Sequence, residues 1–351
     1  MLNMIRGSRR QIYLLLTVLL VTLLSACSKE SPQSTFDALG PVSQSQLTIL
    51  WVILGAGAFV FVLVFALLIF ATIRYRRKSD DEADPPQIHG NNKLEIAWTI
   101  APAIILIIVA VPTVRGIFFD ANPPDDAAFT VEATGHQWWF EFEYPEQGIV
   151  TANELHIPVN QAVAVNLYSV DVIHSFWVPK LAGKLDMVPG NENHMWLEAD
   201  EPGVYFGQCA EFCGESHAKM RFRVVVHTQA DFDAWVIAQK QLAAIPTDPL
   251  AKEGYDLFIG QAQCWACHTI DGFQRARGSV GPNLSHVASR MQLGAGIMDN
   301  TQENLRAWLE DPNSFKPGNV MSRDAVVYAD PSKGLSEPQI SALVAFLRSL
   351  D

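Results

Sequence analysis

The sequence predicts a multi-domain protein, with a two-helix transmembrane hairpin, an all-β barrel or sandwich and an all-α domain following one another. Three observations predict it. Two long uncharged or nearly uncharged apolar runs, residues 47–72 and 96–114, fall before residue 120. Residues 129–230 alternate apolar with polar or small side chains and are punctuated by Gly and Pro turns. From residue 250 the pattern becomes helical, closing on an amphipathic stretch at 337–350 with Ile340, Leu343, Val344 and Leu347 on one face.

At 351 residues the chain is long enough for two or three units. Its charge is unevenly spread, with a net +3 over residues 1–119, −11 over 120–230 and −4 over 231–351. An acidic middle argues against a nucleic-acid partner and suits a cationic one, although acidity also serves solubility.

The first element carries Arg6, Arg9 and Arg10, then an apolar stretch at 12–24, then Ser25-Ala26-Cys27. That is the build of a signal peptide over residues 1–26. Leu24-Ser25-Ala26-Cys27 resembles a bacterial lipoprotein signal, which would make Cys27 a lipidated N-terminus. An unlipidated signal peptide and an uncleaved anchor are the alternatives. Residues 27–46 read as a linker.

The hairpin, residues 47–119, comes next. Its first run leads into Arg74, Arg76, Arg77 and Lys78, a cationic cluster that marks the cytoplasmic side of a membrane. The second run returns the chain outward, its Pro102 and Pro112 being tolerable in a spanning helix. Everything beyond Arg115 is then extracytoplasmic, as in a protein of a bacterial plasma membrane. Glu95, at the start of the second run, is either a functional ionisable group or a helix N-terminal acid favoured by the dipole.

In the β unit, residues 120–230, Val163, Val165 and Leu167 mark one strand and Phe222, Val224 and Val226 another. The latter set alternates with Arg221, Arg223 and Val225. Glu146-Gln147-Gly148, Pro189-Gly190 and Pro202-Gly203 mark turns. Residues 231–246 read as helical within a linker at 231–249, which Pro246 and Pro249 break before the final unit, 250–351.

The segment from Cys209 to Met220 places Cys209, Cys213, His217 and Met220 within twelve residues. Thiolates, a thioether and imidazole together select copper over hard cations. One cysteine suffices for a mononuclear blue-copper site, so two leave sulfurs available to bridge two metals. His174, just after a strand, is placed as a loop-borne second histidine. Zinc in a Cys₂His₂ set and a Cys209–Cys213 disulfide remain open on these residues alone.

The same segment closely resembles the CuA loop of cytochrome c oxidase subunit II. Gly135-His136-Gln137-Trp138-Trp139-Phe140-Glu141-Phe142-Glu143-Tyr144 and Asp171-Val172-Ile173-His174-Ser175-Phe176 resemble two further motifs of that family. The resemblance implies a cupredoxin-like fold with Cys209 and Cys213 bridging two coppers. It implies His174 and Met220 on one copper, and His217 with the Glu211 backbone carbonyl on the other. The Glu211 carboxylate would hold magnesium at the boundary with the catalytic subunit, Trp138 would lie on the electron route, and Glu95 would stand near a proton pathway. Aromatic packing alone is the alternative for Trp138 and Trp139.

Cys264-Trp265-Ala266-Cys267-His268 is the C-x-x-C-H attachment signature of haem c. Two thiols three apart can bond one porphyrin, and the adjacent histidine can reach its iron. A redox dithiol or half a zinc site are the other readings; no second Cys/His pair is nearby and no βαβ pattern surrounds it. Met321 is the candidate second axial ligand. Its approach, Phe315-Lys316-Pro317-Gly318-Asn319-Val320, resembles the methionine loop of small cytochromes c, although Ser322 stands where that family often has proline. Met291 and Met298 are the alternatives. Gly281-Pro282-Asn283-Leu284 resembles the haem-propionate-side loop.

These readings describe an electron-accepting subunit of a haem-copper terminal oxidase. Electrons would come from a cytochrome c or a membrane cytochrome complex, and oxygen reduction would belong to a partner catalytic subunit I, with a subunit III alongside. A quinol-oxidase subunit should lack the copper ligands. A nitrous-oxide type of reductase should show a separate histidine cluster, whereas a nitric-oxide-reductase-like complex would hold its catalytic metal in another chain. A copper-handling membrane lipoprotein has little need of haem c.

Overall fold

The computed structural model describes residues 14–15, 17–18, 31–77, 86–87 and 90–351. The signal-peptide cleavage region, Cys27 and Lys78 lie outside the described residues.

Two long helices open the described chain, α1 (Pro41–Arg74) and α2 (Asn92–Ala121). At 34 and 30 residues each exceeds the ~20 that span a bilayer. Both outrun the apolar runs because their polar ends are used. Pro41 supplies a preformed first helical residue, and Asn91 caps the N–H groups of Lys93 and Leu94. Pro102 and Pro112 sit inside α2 without ending it. Glu95 closes the same cap by accepting from the Asn91 N–H at 3.2 Å, the helix-end role open to it. Most of the apolar surface of both helices faces outward, as a lipid-facing pair requires.

The hairpin is tied to the β unit. The Trp196 indole donates to the Phe119 carbonyl at 3.1 Å, and the Ser43 N–H donates to Leu181. Lys180 pairs with Asp37 at 2.6 Å.

Ten strands follow: β1 (Thr130–His136), β2 (Trp139–Tyr144), β3 (Ile149–Ala152), β4 (Glu154–Pro158), β5 (Val163–Ser169), β6 (His174–Trp177), β7 (Leu185–Met187), β8 (Asn193–Leu197), β9 (Gly203–Cys209) and β10 (Arg221–His227). They form two five-stranded sheets, ordered β3-β2-β1-β5-β8 and β4-β10-β9-β6-β7. β1 runs parallel to β5 and β4 parallel to β10; the other neighbours are antiparallel. The alternation read in the sequence puts Phe140 and Phe142 of one sheet against Phe176 and Phe222 of the other, all fully buried. Arg223 departs from that alternation. It is buried, with its guanidinium 3.9 Å from the Phe206 ring centre, because the C-terminal domain covers this face.

Helix α3 (Gln229–Gln239) starts on a Thr228 cap and stops well short of residue 246. The expected longer helix is not made because the chain beyond it is captured extended, the Ala243 N–H donating to Asp271.

The last unit is helical. Helices α4 (Pro249–Ile259) and α9 (Glu337–Arg348) pack through Phe258 and Phe346, whose rings meet edge-on at 5.4 Å. Between them lie α5 (Gln302–Glu310) and the short α6 (Pro312–Phe315), α7 (Val320–Asp324) and α8 (Val326–Ala329). A two-residue ribbon, β11 (Gln292–Leu293) with β12 (Met298–Asp299), turns toward the sandwich.

Candidate metal centres

β6, β9 and the β9–β10 loop build the first site. Phe176 pairs with Cys209 across β6 and β9, which brings the start of one strand beside the end of the other. His174 is the first residue of β6, paired to Met187, rather than loop-borne as the sequence suggested. The ladder extends that far because its side chain is wholly buried. After Cys209 the chain turns through Cys213 and a 3₁₀ turn at His217–Lys219, and re-enters β10 just beyond Met220.

The sulfurs of Cys209 and Cys213 lie 3.8 Å apart, far beyond the ~2.05 Å of a disulfide. Each has its own imidazole: His174 Nδ1 is 3.9 Å from Cys209 and His217 Nδ1 is 3.5 Å from Cys213. Met220 Sδ is 3.8 Å from Cys213 and fully buried. The Glu211 carbonyl approaches the Cys209 sulfur at 3.2 Å. The Glu211 carboxylate points away, exposed, 3.9 Å from Lys184. A Cys₂His₂ zinc site would give the buried Met220 thioether and this carbonyl nothing to do. Two soft metals sharing the sulfurs would use every donor.

The electrostatics fit metal loading. The two thiols lie close enough to share a proton, which lowers the pKa of Cys209 and raises that of Cys213. Metal ligation takes the thiolate form, which the lowered Cys209 favours. Burial works against charge on His174, but the Asp171 carboxylate and Cys209 outweigh it and raise its pKa. Asp171 Oδ1 sits 2.7 Å from His174 Nε2, leaving Nδ1 toward the sulfurs. The Asp171 carboxylate also accepts from the Gln137 N–H at Oδ2, 2.7 Å, and from the Val172 N–H at Oδ1, 2.6 Å. Asp171 lies outside the soft-donor pattern of the sequence, although its place three residues before a candidate ligand is a usable signal.

The second site is a cavity in the helical domain. Cys264 opens a 3₁₀ turn after α4, and Cys267 and His268 follow. All three line the cavity, together with Met321 of α7 and the apolar walls of Leu284, Leu305 and Leu343. His268 donates Nδ1–H to the Pro282 carbonyl at 2.8 Å, so Nε2 is free of a proton. A methyl at Gly281 would fall 2.5 Å from the His268 ring, so this loop admits only glycine there. Burial pushes the Cys264 thiol up to about 12 and Cys267 up as well. Such thiols are poor redox nucleophiles, which disfavours a dithiol. Two cysteines, a free imidazole nitrogen and a thioether around an apolar cavity fit a covalently held porphyrin.

Met291 and Met298 do not reach that cavity: Met291 is about half exposed, and Met298 packs from the side of the core. Ser322, in place of proline, uses its N–H to bond Asn319 Oδ1 at 2.9 Å, which caps α7.

Trp138 and Trp139 of the sandwich line the same cavity. Trp138 is buried, and its indole donates to the Cys213 carbonyl at 2.9 Å, joined there by Gln137 Nε2 at 2.7 Å. Trp139 stacks on His136, ring centres 4.1 Å apart, in a packing role. Lys316, another residue without a role in the sequence reading, donates to the Trp138 carbonyl and to Gly294. Burial pulls its amine down to about 7.

Three family models match successive parts of the chain. Residues 30–115 match the transmembrane domain of cytochrome c oxidase subunit II, 146–229 its periplasmic domain, and 251–351 the cytochrome c family. Cytochrome c oxidase subunit 2 of Alkalihalophilus pseudofirmus is 41% identical over 336 residues, covering 94% of both chains. Quinol oxidase subunit 2 of Bacillus spizizenii is 37% identical over 248 residues, 69% of this chain and 74% of its own. The crystal structure of the periplasmic domain of subunit II of cytochrome oxidase from Bradyrhizobium japonicum is 33% identical. It covers 32% of this chain and 94% of its own, at TM-score 0.32.

Proposed function

Since the chain belongs to the cytochrome c oxidase subunit II family, we propose that it feeds electrons from a covalent haem c into a binuclear CuA centre. The observation that carries this is the shared wall: Trp138, bonded to the backbone of Cys213, also lines the cavity of Cys264, Cys267, His268 and Met321. Haem and copper, when bound, supply one-electron chemistry; the protein limits their rearrangement and sets their separation.

In this reading Cys209 and Cys213, with His174, His217, Met220 and the Glu211 carbonyl, would hold two coppers. Asp171 fixes the His174 ring. Cys264 and Cys267 hold the porphyrin, and His268 and Met321 face its iron. The exposed Glu211 carboxylate is left for magnesium at the boundary with a catalytic subunit I, where oxygen is reduced. The hairpin anchors the assembly in a bacterial plasma membrane with both soluble domains outside. A cytochrome c, or a membrane cytochrome complex, is the donor.

The quinol-oxidase reading is disfavoured by the copper donor set and the haem cavity, which such a subunit has no use for. The test is Cys209→Ser in the full oxidase. Haem c should stay reduced while donor-driven oxygen uptake falls to near background. Undiminished uptake would remove the copper centre from the path.

A further inference from the structure

Lysine is costly to bury, yet Lys316 is only 4% exposed. No carboxylate pairs with it among the described ion pairs. Its amine is given to two backbone carbonyls, one in its own domain (Gly294, 3.0 Å) and one in the sandwich (Trp138).

The residues around Lys316 are bonded to the sandwich in alternation. The Phe315 carbonyl accepts from Lys219 at 2.5 Å and the Pro317 carbonyl from Ser216 at 2.6 Å. Both donors belong to the turn that also carries His217 and Met220. Gly318, at φ +76°, lets the loop lie against the Trp138 ring; a methyl there would fall 3.2 Å from Cη2 and 2.7 Å from Glu215 Oε2. Elsewhere the domains meet where the Arg221 N–H donates to the Ala295 carbonyl at 3.0 Å and the Met291 N–H donates to the Glu154 carboxylate at 2.7 Å.

The lysine is therefore not needed merely to attach one domain to the other, since Ser216, Lys219, Arg221 and Glu154 already do that. Among the described residues, Lys316 supplies the hydrogen bond from the helical domain to the Trp138 backbone. Both Lys316 and Trp138 line the cavity of Cys264, Cys267, His268 and Met321.

We propose that Lys316 is a positioning residue for electron transfer between the two centres. Its amine holds the Trp138 backbone so that the indole spans from the haem cavity to the Cys213 carbonyl. This rests on the function proposed above and adds the residue that fixes its geometry. One electron leaves the haem and one enters the copper pair, and Lys316 exchanges neither electron nor proton.

The test uses the full oxidase carrying Lys316→Met, which keeps the bulk and loses both hydrogen bonds. After rapid reduction of the haem, electron transfer to copper should slow by about tenfold or more, as small misplacements of reacting groups do. The absorption of the haem and the spin-resonance signal of the copper should stay as in the parent. Reduction of the copper centre by a small-molecule reductant should keep the parent rate. The Arg221 and Met291 amides should exchange with solvent no more than modestly faster, since their own bonds remain.

Transfer at the parent rate would overturn the proposal, and so would loss of either spectrum, which would make Lys316 a folding residue. If Lys316→Met does not accumulate, Lys316→Gln, which stays polar but is too short for both carbonyls, carries the same readouts. Absence of haem-to-copper transfer in the parent oxidase would instead sink the proposed function itself.

Discussion

The indole nitrogen of Trp138 lies 2.9 Å from the carbonyl oxygen of Cys213, so a residue lining the cavity of Cys264, Cys267 and His268 is bonded to the backbone of a copper-ligand candidate. Trp138→Phe keeps the ring packing and removes the donor, leaving Gln137 as the remaining partner of that carbonyl. The expected cost in stability is about 1 kcal/mol, the worth of one hydrogen bond. Copper content should be unchanged, and haem-to-copper transfer, followed by stopped-flow absorbance, should be slower. Unchanged transfer would place the electron route elsewhere.

Asp171→Asn keeps the shape of the loop and removes the carboxylate from His174. Partners of this kind tune metal affinity by roughly 10- to 100-fold. Competition with a copper chelator should show a loss of that size, with the copper spectrum altered. Equal retention in parent and variant would show that the His174 ring is held by packing alone.

Met321→Leu should leave the haem covalently attached through Cys264 and Cys267 while lowering its reduction potential, since a thioether ligand raises it. A redox titration reads the difference directly. Met291→Leu and Met298→Leu should leave the potential unchanged, because neither side chain lines the cavity. A potential that moves with Met291 or Met298 and not with Met321 would reassign the ligand.

His156 Nδ1 and His227 Nε2 lie 2.8 Å apart at the edge of the sandwich. Burial pushes both pKa values down, and burial together with the neighbouring His156 takes that of His227 to about 4. The folded chain thus refuses protons that the unfolded chain takes up near 6.5, so stability is fully present above that pH. It is lost as pH falls from about 6.5 toward about 4. Thermal unfolding of the full protein at about pH 7.5 and about pH 5 should show the lower midpoint in acid. His227→Gln should flatten that slope; an unchanged slope would assign it to other groups.

How much of this was legible in advance depended on how far apart the partners lie. The sandwich was readable because Val163, Val165 and Leu167 obey a two-residue period that burial enforces. The copper loop was readable because its four donors lie within twelve residues. Lys316 was not, since its partner Trp138 is 178 positions away and no local pattern encodes domain docking. The same docking buries Arg223, which reads in the sequence as an outward residue of an alternating strand. The sequence marks His174 as a ligand candidate but not as a strand residue, because a short strand beginning at a polar residue carries no periodic signal.

The most direct measurement is the metal content and the optical and spin-resonance spectra of the purified oxidase, per copy of this chain. Two coppers are expected in this subunit for each covalent haem c, with one unpaired electron shared over both copper nuclei. A single copper, zinc, or a Cys209–Cys213 disulfide would contradict this and leave a membrane-anchored cytochrome with a structural β-domain.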